Sequence, residues 1–197
     1  MAEPWTSADD ALVETISILA DAAGGRLGGR PGVRSLDPLI APADEIVLVD
    51  GVYSLSGALV PGDGLFDDAE DAEDVWSGPR RRIPEGRLYV SSHGFYLRTR
   101  SQLTAFPWSQ VRSVTLGERS TIQVAANAVA GYPVTFTLRS PWAELMFGLW
   151  CLGWRPQYAW FRLGNWLPPG WQWHAEAHGR WPGARYAEVD AALTAEG

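Results

Sequence analysis

The chain has 197 residues, 46% of them apolar and 20% charged, and a formal net charge of −7. That length and composition fit one domain with extensions, or at most two small domains, with apolar residues enough for a core. The acidic balance argues against nucleic acid as a partner, the single cysteine excludes an internal disulfide or a cysteine-built zinc site, and the longest apolar stretch, Leu145–Trp154, is too short to span a bilayer and is bounded by Glu144 and Arg155.

The charge is unevenly placed. Residues 1–79 hold 16 acids and 3 arginines, whereas residues 80–197 hold 7 acids and 13 arginines. Such a split points to intramolecular contact, to two differently charged partner surfaces, or to solvated faces. Met1–Pro4 carries neither a basic n-region nor an apolar h-region, so a cytoplasmic location is expected, with membrane association as the alternative.

In chain order, TSADDALVETISILADAAGG predicts a helix capped by Ser7, with Asp9 and Asp10 in the first turn where the helix dipole favours negative charge. Leu12, Ile16, Leu19 and Ala23 form one narrow apolar face, and Gly24-Gly25 stops the helix. Residues 26–42 read as a Gly/Pro/Arg linker or strap. Residues 45–57 read as a strand broken near Asp50-Gly51. Residues 61–86 are rich in Gly, Pro and charge and read as a long acidic loop, followed closely by Arg80, Arg81 and Arg82.

A series of short strands follows, near Leu88–Ser92, Phe95–Arg98, Thr104–Trp108, Val111–Leu116, Thr121–Ala125 and Val134–Leu138. In the last of these Val134, Phe136 and Leu138 alternate with Thr135 and Thr137, the period of a half-buried strand. Ser140-Pro141 opens a helix as cap and first position, and Trp142, Leu145, Met146 and Leu149 share one face to near Gly153. The tail crowds Trp154, Trp160, Trp166, Trp171, Trp173 and Trp181 among prolines and glycines, and a last helix is expected from Ala184 to Ala195.

Strands followed by one helix, the segment Gly86-Arg87-Leu88-Tyr89-Val90-Ser91 with Phe95 and Tyr96, and then Phe106-Pro107-Trp108-Ser109-Gln110-Val111 with Val114, resemble the pleckstrin-homology (PH) superfamily, closest to its GRAM-like and bacterial PH-like branch. The resemblance covers about residues 45–153. It implies an α+β, mainly β fold: a small β-barrel of two packed antiparallel sheets capped by a C-terminal helix. The expected organisation is an N-terminal helix and linker over 1–43, a PH/GRAM-like domain over 44–155 with an acidic insertion at 61–85, and a Trp-rich extension over 156–197.

Such a fold is a binding platform more often than a catalyst, so the expected function is a non-enzymatic protein-interaction module or complex subunit. Trp160, Trp166, Trp171 and Trp173 are the candidate partner contacts, because tryptophan is enriched at interface hot spots. The alternative is anionic lipid-headgroup binding through Arg80, Arg81, Arg82 and Arg87, whose planar forks suit phosphate. A second alternative is a metal-dependent enzyme built on His174, Glu176 and His178, where the two histidines would share a helix face at four-residue spacing. A third ligand is not evident, and no cofactor, metal site or catalytic residue is expected. Cys151, between Trp150 and Leu152, reads as a buried small hydrophobe.

Overall fold

The computed structural model describes residues 3–33, 44–56, 85–100, 102–127 and 133–195. The chain runs α1 (Ser7–Ala23), β1 (Val47–Ser56), β2 (Glu85–Ser91), β3 (Gly94–Arg98), β4 (Leu103–Pro107), β5 (Val111–Leu116), β6 (Thr121–Asn127), β7 (Pro133–Arg139), α2 (Ala143–Trp154), α3 (Ala159–Arg162), α4 (Trp171–Ala177) and α5 (Gly183–Ala195). The fold is α+β around one antiparallel sheet of order β4-β3-β2-β1-β7-β6-β5. The acidic segment and Arg80, Arg81 and Arg82 lie outside the described residues.

The sheet curls on itself. Neighbouring strands lie about 4.8 Å apart, so β3 and β7, three steps apart in the order, would stand roughly 14 Å apart if the sheet were flat. Yet Phe95 of β3 lies 6.4 Å from Phe136 of β7, and Phe106 of β4 lies 5.4 Å from it. Phe95 also stacks on Phe106 and packs on Trp108, which fills the interior with rings.

The small barrel of two packed antiparallel sheets expected from the resemblance is seen as one curled antiparallel sheet that does not close. There is one sheet, and β4 and β5 are its two edges. The reason is local. A single helical turn, Trp108–Gln110, separates the edge strands. The indole of Trp150 on α2 then donates to the Val111 carbonyl at 3.2 Å, and the Trp108 indole donates to the Ser91 carbonyl at 3.3 Å. Tryptophan side chains and α2, which packs on β5 and β6, cover the opening instead of a ladder.

Two helix starts differ from expectation. Thr6, not Ser7, caps α1, with its amide and hydroxyl both donating to Asp9. α2 begins at Ala143, two residues after the predicted proline position, with a turn over Pro141-Trp142.

The α1 face is also wider than the narrow stripe predicted. Ala11, Leu12, Thr15, Ile16, Ile18, Leu19 and Ala20 are all buried, because α1 packs against both α2 and α5. Gly148 makes the α1–α2 approach possible: a Cβ there would stand 2.5 Å from Leu19 Cδ1. The hydrophobic core is continuous from Leu12 through the sheet and α2 to Phe161, Trp166, Trp171, Val189 and Leu193. The N-terminal helix and the Trp-rich tail therefore share the core of the sheet.

Candidate functional site

A cleft of ≈ 630 Å³ opens between α1 and the β1–β2 pair, lined by Asp10, Ala11 and Glu14 of α1, Gly51 and Val52 of β1, and Trp142 among others. Gly51 is required here, since a Cβ would meet the Trp142 ring at 2.6 Å. Asp50 and Val52, two apart, share the outward face of β1, while Val49 and Tyr53 turn into the core. Val52 is 64% exposed, an apolar residue standing free in a cleft whose α1 side carries two carboxylates.

β1 is unusual within the sheet. It pairs with β2 from Val47 to Ser54, but with β7 only from Ser54 to Ser56. Among the described residues no strand pairs with the other edge from Val47 to Tyr53; only the Val33 amide reaches it, donating to the Val47 carbonyl at 2.9 Å. Among the described residues the long strand thus has one half paired on both sides and one half paired on one side.

A second, smaller cleft of ≈ 250 Å³ lies against β3 and β4, with Glu45, His93 and Tyr96 in its wall. Both oxygens of Glu45 accept from the Tyr96 hydroxyl at 2.7 Å, and the Ser91 hydroxyl also donates to this carboxylate. Burial and the Glu45 charge push the Tyr96 phenol well above its ordinary range. The carboxylate is committed to holding the residues before β1 onto β2 and β3.

The predicted site residues are scattered. Arg87 engages Asp50 with both arms of its fork, its Nε standing 3.0 Å from Asp50 Oδ1, so it is partnered within the protein. Trp166 and Trp171 are core residues, 2% and 3% exposed. Trp166 packs on Phe161 and Tyr186, and the Trp171 indole donates to Asp9 at 2.8 Å. Trp160 and Trp173 face solvent, at 50% and 75% exposure.

His174 and His178 do come together, with ring centroids 4.5 Å apart, and both pack on Trp5. His174 Nε2 stands 3.8 Å from Asp9 Oδ2. Glu176 is elsewhere, accepting from Gln172 at 2.9 Å. Among the described residues no three His, Cys, Asp or Glu side chains are grouped so as to hold a metal ion.

Asp9 is the electrostatic centre of this corner. It is buried and accepts from Thr6, from Trp171 and from Arg119 on the β5–β6 hairpin. Burial alone would raise its pKa, but those hydrogen bonds hold it at about 2. Beside it, Glu144 is also buried. One oxygen accepts from the Ser120 amide at 3.0 Å, the other has no partner, and burial raises its pKa. These groups fasten α1, the hairpin, α2 and the tail to one another.

Sequence reasoning missed Val52, Trp142, Asp10 and Glu14 as a set. Only the broken pattern at Asp50-Gly51 marked the place. No protein-family model matches this chain, and no curated protein matches it.

Proposed function

We propose that the chain is a non-enzymatic protein-interaction module, and that its partner enters the α1–β1 cleft as an extended segment. The scaffold is read as PH/GRAM-like from the sequence resemblance of residues 86–91, 95–96 and 106–114. The observation that carries the binding reading is the one-sided pairing of β1 between Val47 and Tyr53 among the described residues. An open strand edge offers amides and carbonyls in a row, and an added strand gains affinity from the main chain and specificity from side-chain pockets. Here Val52 and Trp142 offer apolar contact, beside Asp10 and Glu14, which pair with Arg180 and Arg30.

Photocrosslinking tests the reading. The full chain carrying benzoylphenylalanine in place of Val52 is expected to form a discrete adduct with one protein in its host. The same probe in place of Gln123, exposed on β6, should give none. An unadducted Val52 probe, or identical adducts from both positions, overturns the proposal.

A further inference from the structure

Trp154, Tyr158, Trp160 and Leu163 are all exposed within ten residues of chain, where α2 ends and α3 turns back. Phe161, between Trp160 and Arg162, is fully buried and packs edge-on to Phe147 at 6.0 Å. With Phe161 turned inward, Trp160 on α3 and Leu163 at its C-cap, three apart, both face outward. The segment is ordered: the Arg155 amide donates to Cys151, Tyr158 to Arg155, Leu163 to Ala159 and Asn165 to Trp160, all between 2.8 and 3.1 Å. A folded platform holds large apolar side chains in water beside Phe161 and Trp166, which the same segment buries. Clusters of this kind mark contact surfaces.

Charge selects the occupant. From Leu145 to Ala175 there is no Asp or Glu, and the platform carries Arg155 and Arg162, both exposed. Arg162 bonds the neutral Gln157 at 2.8 Å, and neither arginine takes part in an ion pair among the described residues. The platform is thus a cationic aromatic surface on a chain of net charge −7. Neither cleft described above includes any of its residues. Tryptophan and tyrosine prefer the membrane–water boundary, where a ring meets apolar and wet layers at once, and arginine is drawn to anionic headgroups.

We infer that residues 154–163 dock the chain on the surface of an anionic lipid bilayer. Among the described residues no helix is long and apolar enough to cross a membrane, so this contact is interfacial. It is independent of the β1 cleft.

Sedimentation of the full chain with vesicles tests it, using phosphatidylcholine alone and phosphatidylcholine with phosphatidylglycerol. Binding is expected on the anionic vesicles and should weaken with salt. The double variant Trp160→Ala, Leu163→Ala should bind about tenfold more weakly or worse, from lost apolar burial. Changing Arg155 and Arg162 to Gln should cost about fivefold per residue on anionic vesicles only. All these side chains are exposed, so thermal midpoints should match wild type. Val52→Glu should sediment normally, which keeps this outcome separate from that of the cleft. The inference is overturned if wild type fails to sediment, if binding is equal on both lipids, or if the double variant binds like wild type. It is also overturned if a probe at Trp160 captures a protein while vesicles capture nothing.

Discussion

Changing Asp9 to Asn is the sharpest perturbation of this fold, because it removes a charge and keeps the volume. In the native state Oδ1 accepts from Arg119 and from the Trp171 indole at 2.8 Å, while Oδ2 accepts from the Thr6 amide at 2.8 Å and its hydroxyl at 2.6 Å. An asparagine has one acceptor oxygen, so its NH₂ must face donors on one side. Arg119 is partly exposed and can turn to water, so its loss counts for little. A stranded Trp171 indole costs about 1–3 kcal/mol and a weakened cap about 1 kcal/mol. Since the amide faces only one side, only one of these losses applies in full and the expected total is about 1–3 kcal/mol.

The titration of Asp9 gives a second route to that magnitude. Burial would raise its pKa, but the bonds from Thr6, Trp171 and Arg119 lower it from 3.8 to about 2. A depression of that size is worth about 2 kcal/mol. The folded pKa lies below the unfolded one, so this stability is present above about pH 4 and is lost as pH falls toward about pH 2. Asp21 behaves in the same sense: burial opposes, but Arg185, Arg30 and Arg26 hold it at about 2. Urea unfolding across this range should show wild type losing stability steeply and D9N less steeply, because the Asp9 part is gone while those of Asp21 and Glu188 remain. A D9N loss below about 0.5 kcal/mol at neutral pH, the scale of an ordinary surface change, or a pH slope equal to wild type, would refute the reasoning.

Trp166→Ala and Trp171→Ala should each destabilise by about 3–5 kcal/mol, whereas Trp173→Ala should stay within about 0.5 kcal/mol, as calorimetry would show. Gly148→Ala places a methyl against the fully buried Leu19 and should cost about 1–3 kcal/mol in urea unfolding. Burial pushes the Cys151 thiol up to about 12, so a thiol reagent at mildly alkaline pH should find it unreactive in the folded chain and fully reactive in urea.

The strands were legible where burial is one-sided. β7 shows Val134, Phe136 and Leu138 buried in alternation, as its sequence pattern predicts. β2, expected as a strand near Leu88–Ser92, is found at Glu85–Ser91, but it buries Leu88, Tyr89, Val90 and Ser91 in succession instead of on one face. The pairing of β1 with β7 joins residues more than eighty apart, and nothing local encodes it. The short helices α3 and α4 were hidden by the prolines and glycines that bound them.

Helix phase is what separates the tail tryptophans. Trp171 and Trp173 stand two apart on α4, which puts them on opposing sides of a helix; one enters the core and the other faces water. Without the helix, the sequence offers no way to sort them. The capping signal at the start of α1 was legible to within one residue. The buried use of Asp9 was not, because its partners come from the β5–β6 hairpin and from α4.

The charge split between the two halves of the sequence is met in part by ion pairs among the described residues. Asp9 meets Arg119, Asp10 meets Arg180, Asp21 meets Arg185, Asp50 meets Arg87, and in the reverse sense Arg26 meets Glu188. Arg155 and Arg162 stay outside this pairing because their stretch of chain contains no acid. Screening limits exposed charges to about 8 Å at physiological ionic strength, so a partner senses the local sign and not the net −7. The aromatic platform then looks cationic, whereas the carboxylates of the β1 cleft are answered by Arg30, Arg87 and Arg180. A polyanion such as polyphosphate should therefore displace the chain from anionic vesicles and leave the Val52 crosslink intact. If it abolished both contacts, net charge would govern them, and the separation of the two surfaces would fail.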